Sequence, residues 1–300
     1  MKRTALLLAF VGCATASFAQ GKKEITVNEV IERIKKNVGL EWRADTVDTI
    51  KGGGDPNTKV TGIAVTMMAT MDVLQRAVAN NENLVITHEP TFFDHLDVSK
   101  QLPQGDNDPV FAAKQKFITD HHLVVWRFHD YWHMRKPDGI LTGVIRKLGW
   151  EKYQDAKNPY LFTIPETNVG KLSEELKKKL GLVAMRVVAD RDMKVKHIAF
   201  SPGSAGFTRE AGALEMPDID LLIAGETREW ETVEYVADAI AQGRHKALIL
   251  LSHVPSEQPG MDECTTWLKT FVTEVPVEFV PTKDPFAPLK PPKPAVITVD

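Results

Sequence analysis

The chain has 300 residues, 43% of them hydrophobic, enough to bury a core over one large or two modest domains. A formal net charge of −3 and a pI near 6.3 exclude the broad basic field that draws proteins to nucleic acid or anionic membrane. Every apolar run falls short of the roughly 18 residues a membrane-spanning helix needs.

Lys2 and Arg3 precede the apolar run Ala5 to Val11, and small residues follow, the layout of a secretory leader over residues 1–19. Cleavage after Ala19 fits the small-x-small rule, as does cleavage after Ala16, and either sends the protein to the periplasm or the medium. Lipid attachment at Cys13 is a weaker alternative, because Phe10 is an unusual head for such a box. Losing Lys2 and Arg3 moves the mature chain to a net charge of about −5. Cys264 then has no disulfide partner, and its helical stripe with Trp267, Leu268 and Phe271 assigns it to packing.

Thr26-Val27-Asn28-Glu29 is a capping box that opens a helix with Val30, Ile31, Ile34 and Val38 on one face. Gly52 to Pro56 is a loop. Val60 to Met67 reads as a buried strand, Thr70 to Ala79 as a helix, and Leu84 to Thr87 as a second buried strand ending at His88-Glu89-Pro90. Asp94 to Asp108, poor in aliphatics, is an irregular excursion. Leu123 to Phe128 is a further strand, ending at His129-Asp130-Tyr131-Trp132-His133, and Gly139 to Leu148 is helical.

The second half repeats this order. Tyr160 opens a strand, Val169 to Leu180 a helix, and Ala184 to Val188 and His197 to Phe200 two more strands. The small-residue loop Ser201 to Gly206 reads as a tight turn, since it lacks the lysine of a phosphate loop. Ile219 to Ala224, a helix within Thr227 to Ala241, and Ile249 to Leu251 lead to Ser252-His253-Val254-Pro255. The fold class is therefore α/β, two halves of similar strand-helix-strand layout over residues 22–150 and 151–281. A shared metal site is expected at strand carboxyl ends, where open parallel sheets present reacting groups. Residues 282–300 form a proline-rich, extended tail.

Three short segments carry histidine beside acids: His88-Glu89, His129 to His133, and His253 to Glu257. Imidazole with carboxylate suits zinc, iron or manganese, and five such ligands exceed what one structural zinc needs. They suit two divalent ions sharing a bridge. His253 and Glu257 would share a helix face, but Pro255 and Pro259 argue for a turn instead. His121, His122, His197 and His245 read as surface residues, whereas His95 lies near enough to His88 to support it or move a proton.

Taken in order, these residues resemble the Nif-three-like family of dinuclear-metal-centre hexameric proteins, also described as GTP cyclohydrolase type-two-like. The similarity runs from Thr26 to Pro281. It rests on Lys59-Val60-Thr61-Gly62-Ile63, on Ile86 to Phe93, on Gly225-Glu226, and on Ser252 to Glu257. The resemblance implies two linked α/β domains, over residues 22–150 and 151–281, and a ring-like hexamer, with the metal site between the domains. Where the family has a His-His pair this chain has His88-Glu89, and the family's His-Thr-Asn-Leu-Asp run, whose final Asp is a ligand, matches His129 to His133. A carboxylate and an imidazole have thus exchanged places. The implied ligands are His88, Glu89, His133, His253 and Glu257, bridged by Glu257 or Glu89, with Asp130 a weaker bridge.

The expected function is an exported metal-dependent hydrolase of unassigned small-molecule substrate, acting through a metal-bridging hydroxide, with His129, Asp130 or His95 moving protons. A phosphoester or amide stands beside the cyclohydrolase target as its substrate bond. The alternative is a non-catalytic metal-binding assembly or regulatory protein. A homo-oligomer is expected, with no nucleic-acid partner and no membrane span.

Overall fold

A computed structural model describes residues 24–286. The expected leader with Cys13, and the tail beyond residue 286, lie outside the described residues. Two five-stranded sheets organise the chain. In the first, β2 (Ile63–Thr66), β3 (Leu84–Thr87) and β4 (Val124–Arg127) are parallel, with β1 (Ile50–Gly52) antiparallel at one edge. In the second, β7 (Lys194–Ser201), β8 (Leu221–Ala224) and β9 (Ala247–Leu250) are parallel. Antiparallel β5 (Leu161–Asn168) and β6 (Arg186–Val188) flank them. Every residue of β2, β3, β4, β8 and β9 is buried, as their apolar runs require when helices cover both faces.

Helices fall where periodicity and caps put them. The Thr26–Glu29 capping box is complete and opens α1 (Val27–Val38). Asn168 caps α6 (Val169–Leu180), and Asp138 caps α5 (Gly139–Leu148). The short α4 spans Asp130–Met134, α2 spans Met71–Ala79, α3 spans Pro109–Asp120 and α7 spans Phe207–Glu215. The excursion from Asp94 to Asp108 contains two 3-10 turns. The helix expected from Thr227 starts later, as one π-helical turn over Glu229–Val233 that runs into α8 (Glu234–Ala241).

Two expectations need correction. His253 and Glu257 stand on a helix, α9 (His253–Leu268), and not in a turn. Pro255 is its third residue, where a backbone N–H would have no intrahelical acceptor, so the ring costs no hydrogen bond; only Pro259 lies in the interior. The second span, 151–281, is also divided. After β9 the chain returns to the first half: Val254, Met261, Cys264 and Leu268 of α9 pack with Val30, Trp126 and Trp132, and β10 (Val277–Phe279) pairs parallel with β2. Between the sheets lies α5, with Ile140 in the first core and Leu141, Val144, Ile145 and Leu148 in the second. Among the described residues no helix is long and apolar enough to cross a membrane.

Candidate metal centre

Three chain segments converge at the carboxyl ends of the first sheet's parallel strands. His88 and Glu89 leave β3 directly and are buried. His129 follows β4 as the N-cap residue of α4, and His133 lies one turn further along that helix. His129 offers no capping bond; Asp48 replaces it, its carboxylate accepting the N–H groups of His129 at 2.7 Å and of Asp130 and Tyr131 at 2.9 Å. His253 and Glu257 sit on consecutive turns at the start of α9, after Ser252 takes a left-handed φ of 71° to turn the chain.

The inward-facing atoms are close. His88 Nε2 lies 3.2 Å from His133 Nε2 and 3.8 Å from Glu257 Oε2. His253 Nε2 is 3.1 Å from Glu257 Oε2 and 3.4 Å from Glu89 Oε1, and His129 Nε2 is 3.6 Å from Glu89 Oε1. Ligand atoms of His88, His129 and His133 all lie within 4.8 Å of one another, as do those of His88, Glu89 and Glu257. Each group could hold a metal ion. The five expected ligands are brought together, and His129, expected to move protons, joins them.

Each imidazole is pinned from outside by its other nitrogen. His88 Nδ1 faces the Phe128 carbonyl at 3.1 Å, His129 Nδ1 faces Asp130 at 3.0 Å, His133 Nδ1 faces Asp138 at 3.0 Å, and His253 Nδ1 faces Glu226 at 3.1 Å. A carbonyl can only accept, so His88 carries its proton on Nδ1 and presents a lone pair at Nε2, the orientation of a metal-bound histidine. Two inward lone pairs 3.2 Å apart, on His88 and His133, repel unless a proton or a cation lies between them. The donor set therefore fits divalent metal.

The charges agree with this reading. Burial, with the fields of His129 and His133, holds the His88 imidazolium pKa well below its usual value, so the ring is neutral. Burial alone would also lower His253, but hydrogen bonds to Glu226, Glu257 and Glu89 push it up to about 12. Burial opposes ionisation of Glu89, yet His253, His129 and Arg127 outweigh it and bring its pKa to about 2. In the metal-free chain a proton on His253 thus takes the place of cationic charge among three carboxylates.

Several supporting residues were not singled out from sequence. Arg127 is completely buried and donates from Nε to the His88 carbonyl at 3.0 Å and from Nη1 to the His95 carbonyl at 2.5 Å. A cation closing the apolar strand Val124-Val125-Trp126 was its available signal. Asp138 could have been found as a helix N-cap, and Glu226 through the Gly225-Glu226 anchor; Asp48 has no local mark. Asp130 is not on the inner face, because its oxygens hold His129 Nδ1, the Thr46 hydroxyl at 2.8 Å and the Val47 N–H at 3.2 Å. His95 lines the cleft with its ring 6.2 Å from that of His129, outside the cluster.

The Ser201–Gly206 loop does more than turn the chain. Gly203 has φ +65° and presses on Glu257: a Cβ there would stand 2.2 Å from Glu257 Oε1. A Cβ on Gly225 would stand 2.4 Å from the Gly203 carbonyl. The second sheet thus supplies a tight backbone wall behind the cluster. Over the cluster opens a cleft of about 480 Å³, walled by His95, Lys136, Tyr160, Ser204 and Arg209.

A two-sheet α/β fold with a His/Glu centre at strand carboxyl ends is the class of protein these features define. Residues 25–285 match the family model Duf34/NIF3 (NGG1p interacting factor 3), and the chain belongs to that family. The GTP cyclohydrolase 1 type 2 homolog of Clostridium acetobutylicum is 27% identical over 222 residues, covering 69% of this chain and 76% of that protein. Staphylococcus aureus protein SA1388 superposes with a TM-score of 0.68 at 16% identity, over 88% of this chain and 99% of its own. The Bacillus cereus protein related to NIF3 gives 0.69 at 13% identity, over 89% and 100%. At such identities the likeness to the two structures concerns the fold.

Proposed function

We propose that the protein is an exported metal-dependent hydrolase, with two divalent ions of zinc, iron or manganese held by His88, Glu89, His129, His133, His253 and Glu257. One observation carries this reading: four imidazoles, each fixed at Nδ1 by an acceptor, turn their Nε2 atoms toward each other and toward two carboxylates. Bound metal supplies Lewis acidity there, stabilising charge on an attacked group and acidifying water. The chain's part is to keep Glu89 ionised, to hold the rings in one tautomer, and to place His95 on the cleft wall, where it can exchange a proton with substrate.

The open cleft favours catalysis over the non-catalytic alternative, since structural sites close their coordination and catalytic ones leave an approach. Export is supported by Lys2, Arg3 and the apolar run behind them. The Clostridium relative's name speaks of GTP, a nucleotide an exported protein would seldom meet. A phosphoester or amide is the better target here. The test begins with elemental analysis: two equivalents of metal per chain should fall to one or none in His88→Ala. A phosphatase and amidase panel with added zinc, manganese or iron follows, and activity that survived Glu257→Ala would overturn the hydrolase reading.

A further inference from the structure

The cleft over the histidine cluster holds two cations that the cluster does not use. Its carboxylates are engaged: Glu89 and Glu257 face His253, and Asp138 faces His133. Lys136 and Arg209 line the same cleft, are exposed, and enter no ion pair among the described residues. Arg209 is not a freely waving side chain. Its guanidinium carbon lies 4.4 Å from the ring centre of Tyr160, and the Tyr160 hydroxyl donates to Asp138 Oδ2 at 3.0 Å. The same Asp138 oxygen holds His133 Nδ1 at 3.0 Å. One stacked ring and one carboxylate therefore fix the guanidinium relative to the cluster. Pro202, Ser204 and Ala205, whose side chains are short, line the same cleft with Met134.

From this arrangement the geometry points to a substrate that bears an oxyanion, phosphate or carboxylate, bound by Arg209 and Lys136 while its reacting end lies at the histidine cluster. A planar guanidinium donates paired N–H bonds to either group, and the ammonium adds a point charge. Two cations in a chain of net charge −3 fit a small anion and not a polyanion, which needs many phosphate contacts. The inference deepens the hydrolase reading and rests on it for the identity of the reacting end; the anion arm itself stands on Arg209, Lys136 and Tyr160.

The test is calorimetric titration of the full-length protein, as purified, with phenylphosphonate, benzoate and neutral benzamide. Metal content and thermal melting are read on the same samples. Wild type should bind at least one oxyanion more tightly than benzamide, and the preferred one tells phosphate from carboxylate. Arg209→Gln and Lys136→Gln should each weaken that oxyanion by about tenfold, the scale of one charge-assisted hydrogen bond, with benzamide unmoved. Should Arg209→Gln lose metal or stability, Lys136→Gln carries the comparison. Oxyanion affinities equal in wild type and both variants, or no oxyanion binding at all, would overturn the proposal. A wild type without metal whose phenylphosphonate affinity still depended on Arg209 would sink the hydrolase reading and uphold the anion arm.

Discussion

At Gly203 the difference between a hydrogen atom and a methyl group decides how closely the second sheet can approach Glu257. Two penalties meet there: a left-handed φ of +65°, which costs an L-residue about 1–2 kcal/mol, and a Cβ 2.2 Å from Glu257 Oε1. Gly39 has a similar φ of +71° with nothing within 4 Å. Both Gly39→Ala and Gly203→Ala should therefore lower the melting temperature, but only Gly203→Ala should lose half or more of its bound metal by elemental analysis. Equal metal content in the two variants would show that Glu257 is not held by this contact. Glu82, at the turn between α2 and β3, offers a test in pH. Its side chain is 2% exposed, and burial, helped by Glu278 and opposed by Asn80, raises its pKa from 4.5 to about 7. A carboxyl whose folded pKa is raised binds its proton more tightly when folded. Its contribution favours the folded state below pH 4.5 and is lost as pH rises toward about 7. Glu82→Gln should match wild type in stability at pH 4 and exceed it by roughly 1 to 3 kcal/mol at pH 8, as read by urea unfolding at the two pH values.

Among the elements, α9 shows most plainly what local sequence conveys and what it conceals. The four-residue spacing of His253 and Glu257 was legible, and the two prolines pointed away from the helix that carries it. Position within the helix resolves the conflict for Pro255, which falls in the first turn, where no hydrogen bond is lost; Pro259 stays in the interior and removes one bond from the ladder. What the sequence concealed was the partner of α9. Gly143 of α5 and Gly260 of α9 let the two backbones touch: a Cβ on Gly260 would stand 2.4 Å from Ile140 Cα, and one on Gly143 2.3 Å from the Pro259 carbonyl. The Trp132 indole also donates to the Gly260 carbonyl at 3.1 Å. In an open helix Gly→Ala stabilises by about 1 kcal/mol. Here the sign should reverse, with Gly260→Ala destabilising by about 1–3 kcal/mol as the crossing is forced apart. Urea unfolding would show a lower midpoint at unchanged slope. A higher midpoint would mean that the helices do not meet at this glycine.

Over the whole molecule, the readable part of the site was the part carried by buried parallel strands. Leu84 to Ile86 and Ala247 to Leu250 must be continuous apolar runs, so the histidines that follow them stand out. The acceptors behind the rings come from elsewhere: Asp138 from a helix cap, Glu226 from the loop after β8, and the Phe128 carbonyl from backbone. A cap motif marks Asp138 and the Gly225-Glu226 anchor marks Glu226, but neither mark says which ring the residue faces. The return of β10 to the first sheet was equally hidden, since three residues carry no record of which sheet they join. This topology gives the cluster a mechanical position, because His88, Glu89, His129 and His133 lie at the ends of β3 and β4, and His253 and Glu257 where the chain leaves the second sheet for the first. Metal bound to all of them would tie that crossing point to the first sheet. Without metal the crossing is held more weakly but does not fly apart, because the His253 proton offsets one of the negative charges around it and bonds to its carboxylate neighbours; that contribution is complete below pH 6.5 and is lost only as pH rises through about 12. Chelation at neutral pH should therefore lower stability without unfolding the protein. A ligand present at 100 times its dissociation constant stabilises by about 2.7 kcal/mol, which for a chain of 300 residues corresponds to a melting shift of roughly 4–5 °C. Scanning calorimetry with and without a chelator should show that drop, reversed by excess metal, and hydrogen exchange should quicken first at the start of α9. Loss of metal with an unchanged melting temperature and unchanged exchange over residues 253–257 would place the ions somewhere other than this crossing.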